Sequence, residues 1–148
     1  MAVNNEKTKV DFYILSGGDE SGYMRYTCRL TEKAYKLKHR IYIHVDNDVK
    51  AQQFDELLWT FSQGSFIPHE RLNNGMPQSP VVIGYNDTAP EGYGLLINLS
   101  KVIPDFYDKF ARVAEVVADE DTLRQTSREH FRFYREQGLT PNIHQISL

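Results

Sequence analysis

Two short apolar runs rich in β-branched and aromatic residues, each followed by a stretch of helical periodicity, open this chain and restrict what it can fold into. Val10-Asp11-Phe12-Tyr13-Ile14-Leu15 ends at Ser16-Gly17-Gly18, as a buried strand running into a turn does. Over residues 22–39 the period becomes helical, with Leu30, Ala34 and Leu37 at i, i+4 and i+7 and Met24, Thr27 and Cys28 toward the same side. Residues 40–45 form a second strand, Asp46-Asn47-Asp48 a polar turn, and residues 49–61 a second helix that gathers Phe54, Leu57, Leu58 and Phe61 on one side. A β-α-β-α order predicts a mostly parallel sheet with right-handed crossovers and helices on its faces.

The pattern continues with an interruption. Residues 62–79 hold Gly64, Pro68, Asn73, Asn74, Gly75 and Pro77 and read as a long loop, a kind of segment that often carries function. Strands follow at 80–84 and 95–99, a short helical turn from Pro104 to Phe110, and a strand at 112–117. Asp119-Glu120-Asp121 places negative charge at the start of a helix over 122–137, and Gly138 and Pro141 stop it. With 148 residues, 41% of them hydrophobic and 25% charged, the chain is expected to form one α/β domain, with residues 1–9 a flexible leader and 139–148 a C-terminal tail.

Several chemistries find no foothold in this pattern. A net charge of −3 supplies no general basic field, so direct nucleic-acid binding is expected to be weak or absent. Cys28 stands alone and no stretch approaches the ~20 apolar residues of a membrane helix, which predicts a soluble protein of a reducing cytoplasm. The glycine loop at 16–22 lacks the Lys-Ser/Thr of a phosphate-binding loop and offers Asp19 and Glu20, which repel phosphate, so it reads as an ordinary turn. His44, Asp46 and Asp48 have no metal-site spacing, His69-Glu70 lacks a second histidine, and Cys28 lies on an apolar helix side as a packed thiol. No catalytic, metal or cofactor residue is nominated. An α/β nucleotide-binding or hydrolytic enzyme with a site of unfamiliar sequence stands as the alternative.

The last helix carries the most informative surface. Arg124, Arg128, Arg132 and Arg135 recur at i, i+4, i+8 and i+11 along one face, with Phe131 beside Arg128 and Arg132. Guanidinium forks next to an apolar surface suit a short acidic peptide with a hydrophobic end. A solvated face whose arginines pair with Glu129 and Glu136 is the other reading, and direct contact with single-stranded DNA a third.

In several blocks the chain resembles the chi subunit family of bacterial DNA polymerase III. They are VDFYIL at 10–15, CRLTEKAYKLKHRIYIHVD at 28–46, FDELLWTFSQGSFIPH at 54–69, PVVIGY at 80–85 and FARVAEVVADEDTLRQTSREHFRFYREQG at 110–138. The resemblance implies a single-domain Rossmann-like fold without a nucleotide site, and a non-catalytic accessory subunit of a DNA-directed DNA polymerase holoenzyme in the bacterial cytoplasm, at the nucleoid. It implies two partners: the psi subunit, which joins chi to the clamp loader, and the acidic C-terminal tail of single-stranded DNA-binding protein. By the same resemblance Val117, Arg124, Arg128, Phe131 and Arg132 form the tail-binding surface, and Trp59, Phe66, Ile67 and Pro68 the psi interface. From residue type alone, Trp59 and Phe66 fit a packed core pair as well as an exposed anchor. The chain departs from the family with arginine at 124 and 132 where lysine also occurs, with Phe131 for a tyrosine, and with Lys38 where a helix-to-strand turn often has glycine.

Overall fold

Side-chain caps fix where the first two helices begin. Asp19 accepts a hydrogen bond from the Gly22 N–H at 3.0 Å and starts α1 (Glu20–Lys36); Asn47 accepts from Lys50 N–H at 2.9 Å and starts α2 (Asp48–Thr60). The glycine loop and the Asx-rich turn are thus both spent on capping. In the computed structural model, which describes residues 7–73 and 75–148, these helices connect β1 (Lys9–Ser16), β2 (Ile41–His44) and β3 (His69–Arg71). β4 (Val81–Gly84), β5 (Leu95–Asn98), a 3-10 helix (Asp105–Lys109), β6 (Arg112–Val117), α3 (Asp121–Glu136) and β7 (Asn142–Ser147) complete the order.

The strands form one seven-stranded sheet in the order β3-β4-β2-β5-β6-β1-β7, and every pairing is parallel. Its central strands β2, β4 and β5 are buried at every position, as strands covered on both faces must be. One apolar cluster lies under α1 and α2 and includes Leu15, Cys28, Ile43, Phe54 and Leu58. The other lies under α3 and the 3-10 helix and includes Phe12, Tyr42, Phe110, Val117 and Tyr134. Cys28 is fully buried, and burial pushes its thiol up to about 12, so it is a packing residue. This is the parallel α/β sheet that the sequence pattern predicts and the Rossmann-like fold that the resemblance implies.

Four local expectations needed revision. The loop at 62–79 contains β3, whose His-Glu-Arg sequence has no apolar alternation to announce it. The segment expected as a tail contains β7, which pairs with β1 from Asp11↔Asn142 to Ser16↔Ser147 and carries mostly exposed side chains because it is an edge. Of the expected leader, residues 1–6 lie outside the described ones, whereas Thr8 Oγ1 donates to Phe110 O at 2.8 Å and Lys9 already belongs to β1. Leu37, placed by periodicity on the apolar side of α1, caps the helix C-terminus and is 64% exposed. Next to it Lys38 adopts a φ of 72°, the left-handed conformation in which glycine is strain-free, which explains why a glycine suits this turn.

Candidate partner-binding surfaces

α3 is held to the sheet by a buried carboxylate. Glu115 stands in the middle of the apolar strand β6 and is 4% exposed. Its Oε2 accepts from Tyr134 Oη at 2.6 Å and from Asn98 Nδ2 at 3.0 Å, and its Oε1 faces His130 Nδ1 at 2.9 Å. The other ring nitrogen, Nε2, lies 2.9 Å from the Lys101 carbonyl oxygen, so both His130 nitrogens face acceptors and both must donate. Burial works against a charged His130, but the hydrogen bond and charge of Glu115 and the Lys101 carbonyl outweigh it and raise its pKa. The resulting imidazolium–carboxylate pair is fully hydrogen-bonded, the condition under which a buried pair is tolerated. It fixes the rotation of α3 about its axis, with His130 and Tyr134 inward and the arginines outward.

Arg124, Arg128 and Arg132 are all exposed on that outward face. The structure separates them by their partners. Arg124 bridges two carboxylates, Asp119 and, at 2.9 Å, Asp121. Among the described residues Arg128, Arg132 and Arg135 carry no ion pair; Glu129 and Glu136 do not neutralise them. Phe131 is half-buried, with its ring 5.5 Å from that of Phe12, and borders the cluster that contains Val117 and touches Ile14. Val117 itself is only 6% exposed and belongs to the apolar cluster against which Phe131 packs, not to an exposed rim. The structure therefore sets four of the five expected residues on α3, with two cations outside ion pairs among the described residues and a third already engaged, and places Val117 in the apolar cluster that Phe131 borders.

The second expected surface is of another kind. Trp59, on the last turn of α2, and Phe66, in the loop that follows, are 52% and 65% exposed with ring centroids 5.6 Å apart. They pack on each other at the surface and face solvent, so they are not a packed core pair. Beneath them His69 is buried, 4.3 Å from the Trp59 ring, with Nδ1 2.6 Å from Ile67 O and Nε2 3.1 Å from Asp55 O. Ile67 differs from expectation: at 1% exposure it is a core residue that anchors the loop, while half-buried Pro68 remains at the surface. His69 and Glu115 are the contributors that sequence reasoning missed. The signal for Glu115 was present as a lone charge inside the apolar run of β6.

The crevice at the carboxyl ends of the strands, where doubly wound sheets hold ligands, is a cleft of about 690 Å³ here. Four of its carboxylates are occupied with structure. Asp19 caps α1, Asp46 accepts from Lys101 N–H at 2.8 Å, Asp119 accepts from Gly17 N–H at 2.7 Å, and Glu115 anchors α3. Acidic residues outnumber Lys50 and Lys101 in its lining, which disfavours a nucleotide phosphate there.

A family model described as the DNA polymerase III chi subunit, HolC, matches residues 8–142. The chain belongs to the DNA polymerase III chi subunit family. DNA polymerase III subunit chi of Pseudomonas aeruginosa is 38% identical over 139 residues, 94% of this chain and 97% of that relative. The chi subunits of Haemophilus influenzae and Escherichia coli are each 28% identical, covering 86% and 88% of this chain and 90% and 93% of their own lengths. Membership in the chi family makes the chain an accessory subunit of DNA polymerase III that works in DNA replication. No helix among its described residues is long and apolar enough to cross a membrane.

Proposed function

We propose that this chi-family subunit is a non-catalytic adaptor that binds the acidic C-terminal tail of single-stranded DNA-binding protein on α3 and joins the clamp loader through the psi subunit. The observation that carries the tail-binding half is the pair Arg128 and Arg132, exposed and without ion pairs among the described residues, beside Phe131 and the apolar cluster that contains Val117. Arg128, between the other two arginines and near Phe131, receives the terminal carboxylate; Arg132 receives a tail acid. Arg124 joins in only by exchanging Asp119 or Asp121 for a tail carboxylate. Charge-assisted bonds of ~1.5–3 kcal/mol each, offset by the ordering of the peptide, give a binding free energy near ~−8 kcal/mol, or micromolar affinity, that weakens with salt.

The psi half rests on the family and on the exposed Trp59–Phe66 pair, with Pro68 beside it and Ile67 holding the loop from below. Exposed aromatics clustered over a rigid base are common anchors of protein interfaces. Titration of the chain with a fluorescent acidic peptide ending in phenylalanine tests the tail site. Saturable binding, lost on scrambling the peptide and weakened tenfold or more by Arg128→Ala, is expected; equal binding of the scrambled peptide, or full affinity in Arg128→Ala, defeats the assignment.

A further inference from the structure

The sheet has a second unfilled place, on the face opposite α3. There α2 lies over β3 and β4, and among the described residues α1 is the helix that flanks the β6-β1-β7 side of the sheet, in one apolar cluster with Leu15, Ala114 and Ile146. A groove of about 580 Å³ runs between α1 and the sheet. Its floor is aliphatic, with Leu30 and Ala34 from α1, Ala114 from β6 and Ile146 from β7, and the 64%-exposed Leu37 stands at its mouth. Its rim is cationic. Arg29 and Lys33 are exposed, one turn apart on α1, and belong to no ion pair among the described residues; Arg112 and His144 face them from the sheet.

Among the described residues, the one carboxylate that lines the groove is already used. Asp11 Oδ2 accepts from Arg112 Nη2 and Oδ1 faces His144 Nε2, both at 2.9 Å. The groove thus presents Arg29 and Lys33 as unshared charges above a floor that water solvates poorly, in a chain whose net charge is −3. Two tyrosine rings line it: Tyr13 is covered by His144 at 4.8 Å with planes 13° apart, and Tyr26 is half-buried and tilted against Tyr13 at 6.3 Å. An aliphatic floor, tyrosines packed against their neighbours and only two cations outside ion pairs among the described residues disfavour a nucleic acid, which needs open stacking platforms and a run of phosphate contacts. Charge and apolarity together fit an extended protein segment that alternates acidic with apolar side chains.

We infer that the groove between α1 and the β6-β1-β7 side of the sheet is a second peptide-docking site, which takes an acidic, apolar-containing segment of a partner protein independently of α3. Arg29 and Lys33 hold the carboxylates and Leu30, Ala114 and Ile146 receive the apolar side chains. The test uses fluorescence anisotropy with a labelled eight-residue peptide alternating glutamate and leucine, against the full chain carrying Arg128→Ala and Arg132→Ala so that α3 is silent. Saturable binding is expected in that background, at least tenfold weaker with Arg29→Glu and Lys33→Glu, and also weakened by the gentler Arg29→Gln and Lys33→Gln, all with unchanged circular dichroism. Amide signals of Ala114 and Ile146 should shift on peptide addition. The inference is overturned by three results: peptide affinity unaffected by these substitutions, preferential binding of oligothymidylate that they abolish, or self-association of the chain that they abolish.

Discussion

The outward face of α3 and the Trp59–Phe66 corner are both exposed, yet they are built on opposite principles. α3 turns its charges out because a buried charge network holds its other side in; the corner turns aromatic rings out because a buried histidine and an anchored loop hold them up. Electrostatic surfaces of this kind steer partners and respond to salt, whereas apolar corners gain affinity from area removed from water. In the proposed adaptor, one surface of each kind would hold one partner durably and let the other exchange.

The sharpest way to break this contrast is at Glu115. Glu115→Ala leaves His130, Tyr134 and Asn98 without their shared acceptor and is expected to destabilise the fold by about 3–5 kcal/mol in urea unfolding. The same network gives a pH signature. Because the folded pKa of His130 lies above its ordinary 6.5, its stabilisation is full below that value and is lost as pH rises through the folded pKa. His130→Gln should flatten that decline in stability measured across neutral and alkaline pH; an unchanged slope would locate the titrating group elsewhere.

At the aromatic corner, Trp59→Ala should weaken clamp-loader partner binding by ~2 kcal/mol or more, read by calorimetry, and reduce stability by only ~1 kcal/mol because the ring is half exposed. Tail-peptide affinity should not move. Within α3, Arg128→Ala should lose ~1.5–3 kcal/mol of tail affinity and Arg124→Ala less than ~1 kcal/mol, since Arg124 is already shared by two aspartates. Equal losses would show that Asp119 and Asp121 release it freely. The smallest effect, at neither surface, is Lys38→Gly, which relieves a left-handed backbone and should stabilise the chain by ~1 kcal/mol while leaving both binding measurements alone.

The arginine face was legible because a helix converts four-residue spacing directly into a surface, and nothing in the fold had to be known to see it. The two strand–helix units were legible for the same reason: their apolar periods are set by the backbone. The corner resisted, because aromatic residues look alike in sequence whether they are buried like Phe54 or exposed like Trp59, and only the position of the loop after α2 decides. Edge strands resisted as well. β3 and β7 are covered on fewer sides than β2 or β5, so their sequences escape the apolar demand that makes a central strand recognisable. Arg124 looked equivalent to Arg128 until its aspartate neighbours were seen in three dimensions.

β1 lies between β6 and β7, both more than a hundred positions further along the chain. During synthesis the first strand made is therefore among the last to be paired, and it waits on the ribosome's surface with apolar Val10, Phe12 and Leu15 unburied until the final third of the chain emerges. Pairings this distant in sequence slow folding and lengthen the time that an unpaired strand is open to wrong partners. The interval before β1 meets β6 and β7 is when the chain most resembles a client of the cell's chaperones.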